Sequence, residues 1–241
     1  MRKFTFFLVM IAVLALGANA MAYEAAAVSN GGTISGTVKL EGAAPAPKEI
    51  QVTKDKEVCG LMKHVEQDLV VGSDGGIANA VVAITDISKG AEMKPTEAKF
   101  DQKGCQYQPH VLAVPAGSTV DVMNSDGILH NIHTYSTKNP PFNMAQPKFK
   151  KVIKVPATSL AQPEVIKVTC DAHGWMSGWW YVAGNPYFAV TDEKGNFTIK
   201  DVPPGDYTVE VWQEKLGKED QKVSVKGGQA ATANFSMKPK S

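Results

Sequence analysis

Beyond its first twenty residues the chain has no helical periodicity of any length, and nowhere does it have an apolar run long enough to span a bilayer. The first absence leaves an all-β fold, and the second argues against a membrane-inserted protein. Neither sign of charge is in excess: 25 Lys and Arg stand against 24 Asp and Glu. Such a balance argues against nucleic acid as the partner. No Cys-x-x-Cys-His run occurs, which excludes covalent c-type haem attachment. Nor does any acid–base pair or activated nucleophile stand out, so the chain reads as something other than an enzyme.

What is present begins with "MRKFTFFLVMIAVLALGANAMAYEA": Arg2 and Lys3, apolar residues from Phe4 to Leu16, then the small-residue pattern Ala18-Asn19-Ala20. This is the pattern of a secretory signal peptide, here residues 1–22, cleaved after Ala20 or Ala22. A soluble periplasmic or secreted protein is expected. Loss of Arg2 and Lys3 leaves 23 basic residues against 24 acidic ones. Roughly 220 residues remain, enough for one large or two small domains.

Short segments of alternating apolar residues, broken by Gly, Pro and Asp, then run through the chain. The clearest strands are "TISGTVKL", "AVVAIT" near 80, "STVDVMN" near 120 and "VIKVTC" at 165–170. Residues 54–65, "KDKEVCGLMKHV", are the one stretch expected to form a short helix. Near the C-terminus, "DEKG" and "PPGD" supply turn chemistry between strands whose inward residues are Phe197, Ile199, Tyr207, Val209 and Val211. The run "TDEKGNFTI…VPPGDYTVEV" resembles the carboxypeptidase regulatory-like domain, a transthyretin-type β-sandwich. That resemblance implies two further strands, and "GTISGTVKLEG" and "GGIANAVVAIT" look like them, far upstream. Residues 30–86 and 185–241 then form one sandwich, and 87–184 are inserted into it. In the other arrangement the two upstream strands belong to the central domain.

Potential metal ligands cluster in two places, "NSDGILHNIHTY" and "VIKVTCDAHGWMSGWW". Alternation puts Ile166, Val168 and Cys170 on one face, so the thiol points inward at a strand end, and the following loop returns His173 and Met176. In "HNIH", His130 shares a face with Ile132 while His133 lies on the other, which makes His130 the better second imidazole. A thiolate and two imidazoles in a plane with a weak axial thioether is the ligand set of a mononuclear blue (type 1) copper electron-transfer centre. Zinc on Cys170, His130 and His173 is the rival metal, and leaves Met176 without a role.

On these residues, N-x-D-G-x-x-H-N with His130 and C-x-x-H-x-x-M from Cys170 through Met176 followed by Gly178, the chain resembles the cupredoxins. The two-residue ligand spacings and "HNIH" are most similar to amicyanin. The resemblance spans roughly residues 98–184 and implies a Greek-key sandwich. It also implies that Asn131 ties the two ligand-bearing segments together through hydrogen bonds, or else is an ordinary strand residue. Asp171 and the cluster Trp175, Trp179, Trp180 depart from the usual small loop.

The chain has three cysteines. If Cys170 is reserved for a metal, Cys59 and Cys105 remain as an even pair able to form a disulfide in an oxidising compartment, two buried free thiols being the alternative. Five histidines are too few for a multicopper oxidase's trinuclear cluster, and one cysteine in the ligand loop rules out a dinuclear copper centre. His64 and His110 are expected to be solvated or internally satisfied, and the lysines of "PKFKKVIK" to form a solvated face or to steer an acidic partner. The expected function is single-electron carriage between periplasmic or envelope redox proteins, such as a c-type cytochrome or a periplasmic dehydrogenase. The alternative is a non-redox copper-binding, storage or envelope scaffold module.

Overall fold

The computed structural model describes residues 23–239, so the expected signal peptide, residues 1–22, lies outside it. Among the described residues no helix is long and apolar enough to cross a membrane. The chain forms two β-sandwiches.

The first has a four-stranded sheet in the order Val152–Val155, Thr119–Asn124, Glu97–Gln102, Tyr107–Gln108. It faces a five-stranded sheet in the order Asn143–Gln146, His130–Tyr135, Glu164–Thr169, Ser177–Ala183, Val111–Pro115. Parallel pairing of Thr119–Asn124 with Glu97–Gln102, and of Ser177–Ala183 with Val111–Pro115, sets non-sequential strands side by side as a Greek key requires. Phe100, Val120, Val122, Ile132, Ile166, Val168 and Trp180 fill the core, with Trp180 edge-on to Phe100 at 5.5 Å. Along Thr119–Asn124 burial alternates strictly, Val120, Val122 and Asn124 inward. A one-residue slip would expose both valines, at about 1.5–3 kcal/mol each, so the alternation fixes the register.

The second sandwich draws on both ends of the chain. Gly32–Leu40 pairs with Asn196–Val202 and with Ala230–Thr232 and Phe235–Met237; Val81–Ile84 lies between Phe188–Val190 and Gly205–Gln213, and Gly217–Val225 forms the far edge. Its core contains Ile34, Val38, Val82, Ile84, Phe197, Ile199, Val209 and Val211. The upstream strands therefore pair with the C-terminal ones and not with those of the first sandwich. Glycine is required at position 36, where a Cβ would meet the carbonyl oxygen of Ala233 at 1.8 Å.

The two sandwiches pack through the outer face of the five-stranded sheet. Val111, Val165, Trp179 and Tyr181 meet Val81, Val190 and Trp212, with Trp179 and Trp212 edge to face at 5.3 Å. The Glu214 carboxylate, in the turn after Gly205–Gln213, accepts the Trp179 indole N–H at 2.6 Å and pairs with His110.

Residues 54–65 differ from the expected helix. Only Lys56–Cys59 is helical, while His64–Val65 pairs antiparallel with Glu49–Ile50. Asp55 opens that turn in the left-handed region, φ 48°, and a disulfide joins Cys59 to Cys105, so tertiary anchoring overrides helical propensity. Although it falls within residues 30–86, this segment packs on the first sandwich, where Cys59 is buried with Val52 and Val58 against it.

Candidate metal centre

Cys170 follows the last residue of Glu164–Thr169, and His130 opens the neighbouring strand. Across this pair of strands His133 is opposite Thr169, which sets His130 and Cys170 at the same end of the sheet. The loop after Cys170 closes on itself: Met176 N–H donates to the His173 carbonyl at 2.9 Å, and Cys170 N–H to the Met176 carbonyl at 3.2 Å. Its return is tight at Gly178, where a Cβ would come within 3.0 Å of the His110 carbonyl oxygen and 3.1 Å of the Phe100 ring.

These elements bring three donor atoms together. The Nδ1 atoms of His130 and His173 are 3.1 Å apart, and the Cys170 Sγ lies 3.8 and 3.7 Å from them. A metal with bonds of about 2.0 Å to nitrogen and about 2.3 Å to sulfur, in a trigonal plane, needs separations of about 3.5 Å (N to N) and about 3.7 Å (S to N). Both sulfur-to-nitrogen separations match those values, and the two nitrogens, at 3.1 Å, need only move slightly apart to admit one ion. Both histidines are fully buried, Cys170 is 1% exposed and Met176 is 2% exposed. Met176 packs in the same core cluster as Cys170 and is carried by the same loop.

The electrostatics favour a thiolate. Burial raises the Cys170 thiol, but hydrogen bonding from His130, help from the backbone at Asn131 and His173, and the His130 charge outweigh it and bring the thiol below its ordinary value. Burial also opposes charge on His130, yet the Asp126 carboxylate and the Cys170 thiolate push it up to about 9. His173 goes the other way: burial, joined by repulsion from His130, lowers it despite Asp55.

Asn131 sits beside His130, and its Oδ1 accepts the backbone N–H groups of Asp171 at 2.5 Å and Ala172 at 3.2 Å. Its Nδ2 donates to Asn143, which in turn donates to Asp171. His133 points away from the donors, onto Asp171 at 3.1 Å and against the Tyr135 ring. His64 is buried with its Nε2 2.7 Å from the Cys59 carbonyl oxygen, and His110 is buried against Glu214; neither belongs to the site. Trp180 is core, Trp179 lies between the sandwiches, and Trp175 packs against His173 with ring centroids 5.1 Å apart.

Two members of the site were not legible as such. Asp126 Oδ2 lies 2.9 Å from His130 Nε2, and Asp55 Oδ2 lies 2.8 Å from His173 Nε2. Asp126 stands inside the "NSDGILHN" motif, four residues before His130, and was available as a signal. Asp55 is 118 residues from its partner, and no local pattern points to it.

A family model for the carboxypeptidase regulatory-like domain matches residues 182–238. No curated protein sequence matches the chain. Among solved structures it is similar to a purple cupredoxin from Nitrosopumilus maritimus, at 22% identity over 36% of this chain and 99% of that one, TM-score 0.30. A reduced Cu(I) form of an amicyanin mutant matches at 19% identity over 36% and 82%, TM-score 0.32. A mutant plastocyanin of fern matches at 16% over 35% and 99%, TM-score 0.30. The case for a metal rests on the donor triangle itself.

Proposed function

We propose that this chain is an exported type 1 copper protein that carries single electrons between periplasmic or envelope redox proteins, and that it is not an enzyme. The observation that carries the reading is the buried triangle of Cys170 Sγ, His130 Nδ1 and His173 Nδ1. These three residues would hold the metal, and Met176, carried by the same loop, would add a thioether to the set. When bound, copper supplies a one-electron couple between Cu(II) and Cu(I). Soft sulfur suits Cu(I) and imidazole suits Cu(II), so the ligand set serves both states. The rigid loop and the Asn131 contacts keep the donors in place, which limits rearrangement on electron transfer.

A redox partner needs a surface near the metal. The turn at Pro147–Lys150 runs beside residues 124–129: Asn124 Nδ2 donates to the carbonyls of both Ile128 and Gln146, and Asn124 N–H to that of Lys151. Phe149, 82% exposed, and Leu129, 48% exposed, project there among Lys148, Lys150 and Lys151. Leu129 adjoins the ligand His130 in the chain. An acidic partner such as a c-type cytochrome or a dehydrogenase fits this basic, partly apolar face.

The test is the visible spectrum and voltammetry of the mature protein loaded with Cu(II), beside Cys170→Ser. An intense copper–thiolate band that Cys170→Ser abolishes, with reversible reduction, supports electron carriage. A band with no reversible couple favours the non-redox copper module, and a colourless protein that retains zinc removes the copper reading.

A further inference from the structure

Both imidazoles turn Nδ1 toward the thiol, so both outer nitrogens face away from the metal position. Each meets a carboxylate: His130 Nε2 meets Asp126 at 2.9 Å, and His173 Nε2 meets Asp55 at 2.8 Å. The Asp126 side chain is 7% exposed and that of Asp55 29% exposed. The Asp126 carboxylate and the Asp55 backbone are each held in place. Asp126 accepts the backbone N–H groups of Gly104 at 2.6 Å and Cys105 at 2.8 Å. Asp55 opens the turn Lys56–Cys59, and its carbonyl accepts the N–H groups of Val58 and Cys59. The Cys59–Cys105 disulfide therefore joins the turn that carries Asp55 to the turn that grips Asp126. Cys105 also accepts the Trp175 indole N–H at 3.3 Å, which ties the ligand loop to the same bridge.

We propose that Asp55 and Asp126 are paired positioning residues that fix both histidine ligands and, through their charge, bias the copper centre toward Cu(II), with the Cys59–Cys105 bridge holding the two in place. The inference rests on the copper reading above. A carboxylate on the far nitrogen of a metal-bound imidazole fixes the ring's orientation and raises its basicity. Its negative charge stabilises a doubly charged centre more than a singly charged one. Two such charges, largely shielded from solvent, act in the same direction and lower the reduction potential.

The experiment compares copper-loaded parent with Asp55→Asn, Asp126→Asn and Asp55→Glu, reading the midpoint potential and the visible spectrum. Asn keeps the size and an acceptor oxygen while removing the charge. Each Asn variant is expected to keep the copper–thiolate band and to weaken Cu(II) binding relative to Cu(I) about tenfold, a rise of about 59 mV for one electron. Asp55→Glu, which restores the charge, is expected to return most of that shift. If Asp126→Asn does not fold, because Asp126 also anchors Gly104 and Cys105, the Asp55 pair of variants decides alone. A parent with the band whose Asn variants keep the parent's potential overturns the carboxylate role and leaves the copper reading intact. A parent without the band overturns both.

Discussion

The side-chain oxygen of Asn131 accepts the backbone N–H of Asp171 at 2.5 Å, bridging the strand that begins with His130 to the loop that begins with Cys170. A second N–H, from Ala172, reaches the same oxygen at 3.2 Å. Removal by Asn131→Ala would orphan two backbone donors beside a buried site, at about 1–3 kcal/mol of stability for an unsatisfied buried group. The donor triangle would open as well, and losses of this kind cost about 10–100-fold in metal affinity. Copper release to an external chelator should be correspondingly faster. Release at the parental rate would show that the bridge is dispensable.

The disulfide closes a separation of 46 residues. Loop-closure entropy for that length corresponds to about 4 kcal/mol. The double variant Cys59→Ser, Cys105→Ser should lose stability of that order in metal-free denaturant unfolding, with its midpoint lowered and its slope increased, because the unlinked denatured chain is less compact. An unchanged midpoint would mean that the Glu49–Val65 segment is held by packing alone.

Much of this architecture could be read in the chain because one-sided burial imposes a period of two on strands such as Thr119–Asn124, and because turn residues are locally determined. In "DEKG", Asp192 accepts the N–H groups of Lys194 and Asn196, and Gly195 takes φ +76°. Three of the four candidate ligands are close in sequence, so spacing was enough to point to them. Where long-range contacts decide, the pattern was silent. Residues 54–65 look helical locally, yet the disulfide and the pairing of His64 with Ile50 shape them. Asp55 meets His173 only because of that tertiary arrangement.

Glu164, at the start of the strand that ends beside Cys170, accepts the N–H and hydroxyl of Thr137, the N–H of Lys138 and two N–H groups of Asn139. Partial burial works to raise its pKa, but these hydrogen bonds win and hold it down at about 2, against an ordinary 4.5. A depressed carboxylate contributes stability that is fully present above its unfolded pKa and is lost as pH falls through the folded value. Glu164→Gln should therefore be less stable than the parent near neutral pH, with the difference shrinking between about pH 4.5 and about pH 2. Chemical denaturation across that range checks it, and a constant difference would count against the linkage.

Charge reversal of Lys148, Lys150 and Lys151 to Glu leaves the copper ligands untouched while changing the proposed docking face. Steered encounters depend on such charges and weaken as salt screens them. Reduction by an acidic c-type cytochrome in stopped flow should slow about tenfold or more at low ionic strength, with parent and variant converging at about 1 M salt, where the screening length is short. Equal rates at low salt would move the docking site elsewhere on the molecule.

Glu214 is a polar link between the sandwiches, since one buried carboxylate serves both the Trp179 indole and the His110 ring. The apolar seam of Val111, Val165, Trp179 and Tyr181 against Val81, Val190 and Trp212 is non-directional, so this hydrogen-bonded contact adds specificity to the packing of the sandwiches. Glu214→Ala leaves a buried indole N–H without a partner, at about 1–3 kcal/mol. Each sandwich keeps its own core, so the loss falls on their association and not on either fold. Scanning calorimetry should then resolve two transitions where the parent gives one, while the copper–thiolate band persists until the transition of the first sandwich. A single transition at the parental temperature would show that the apolar seam alone couples them.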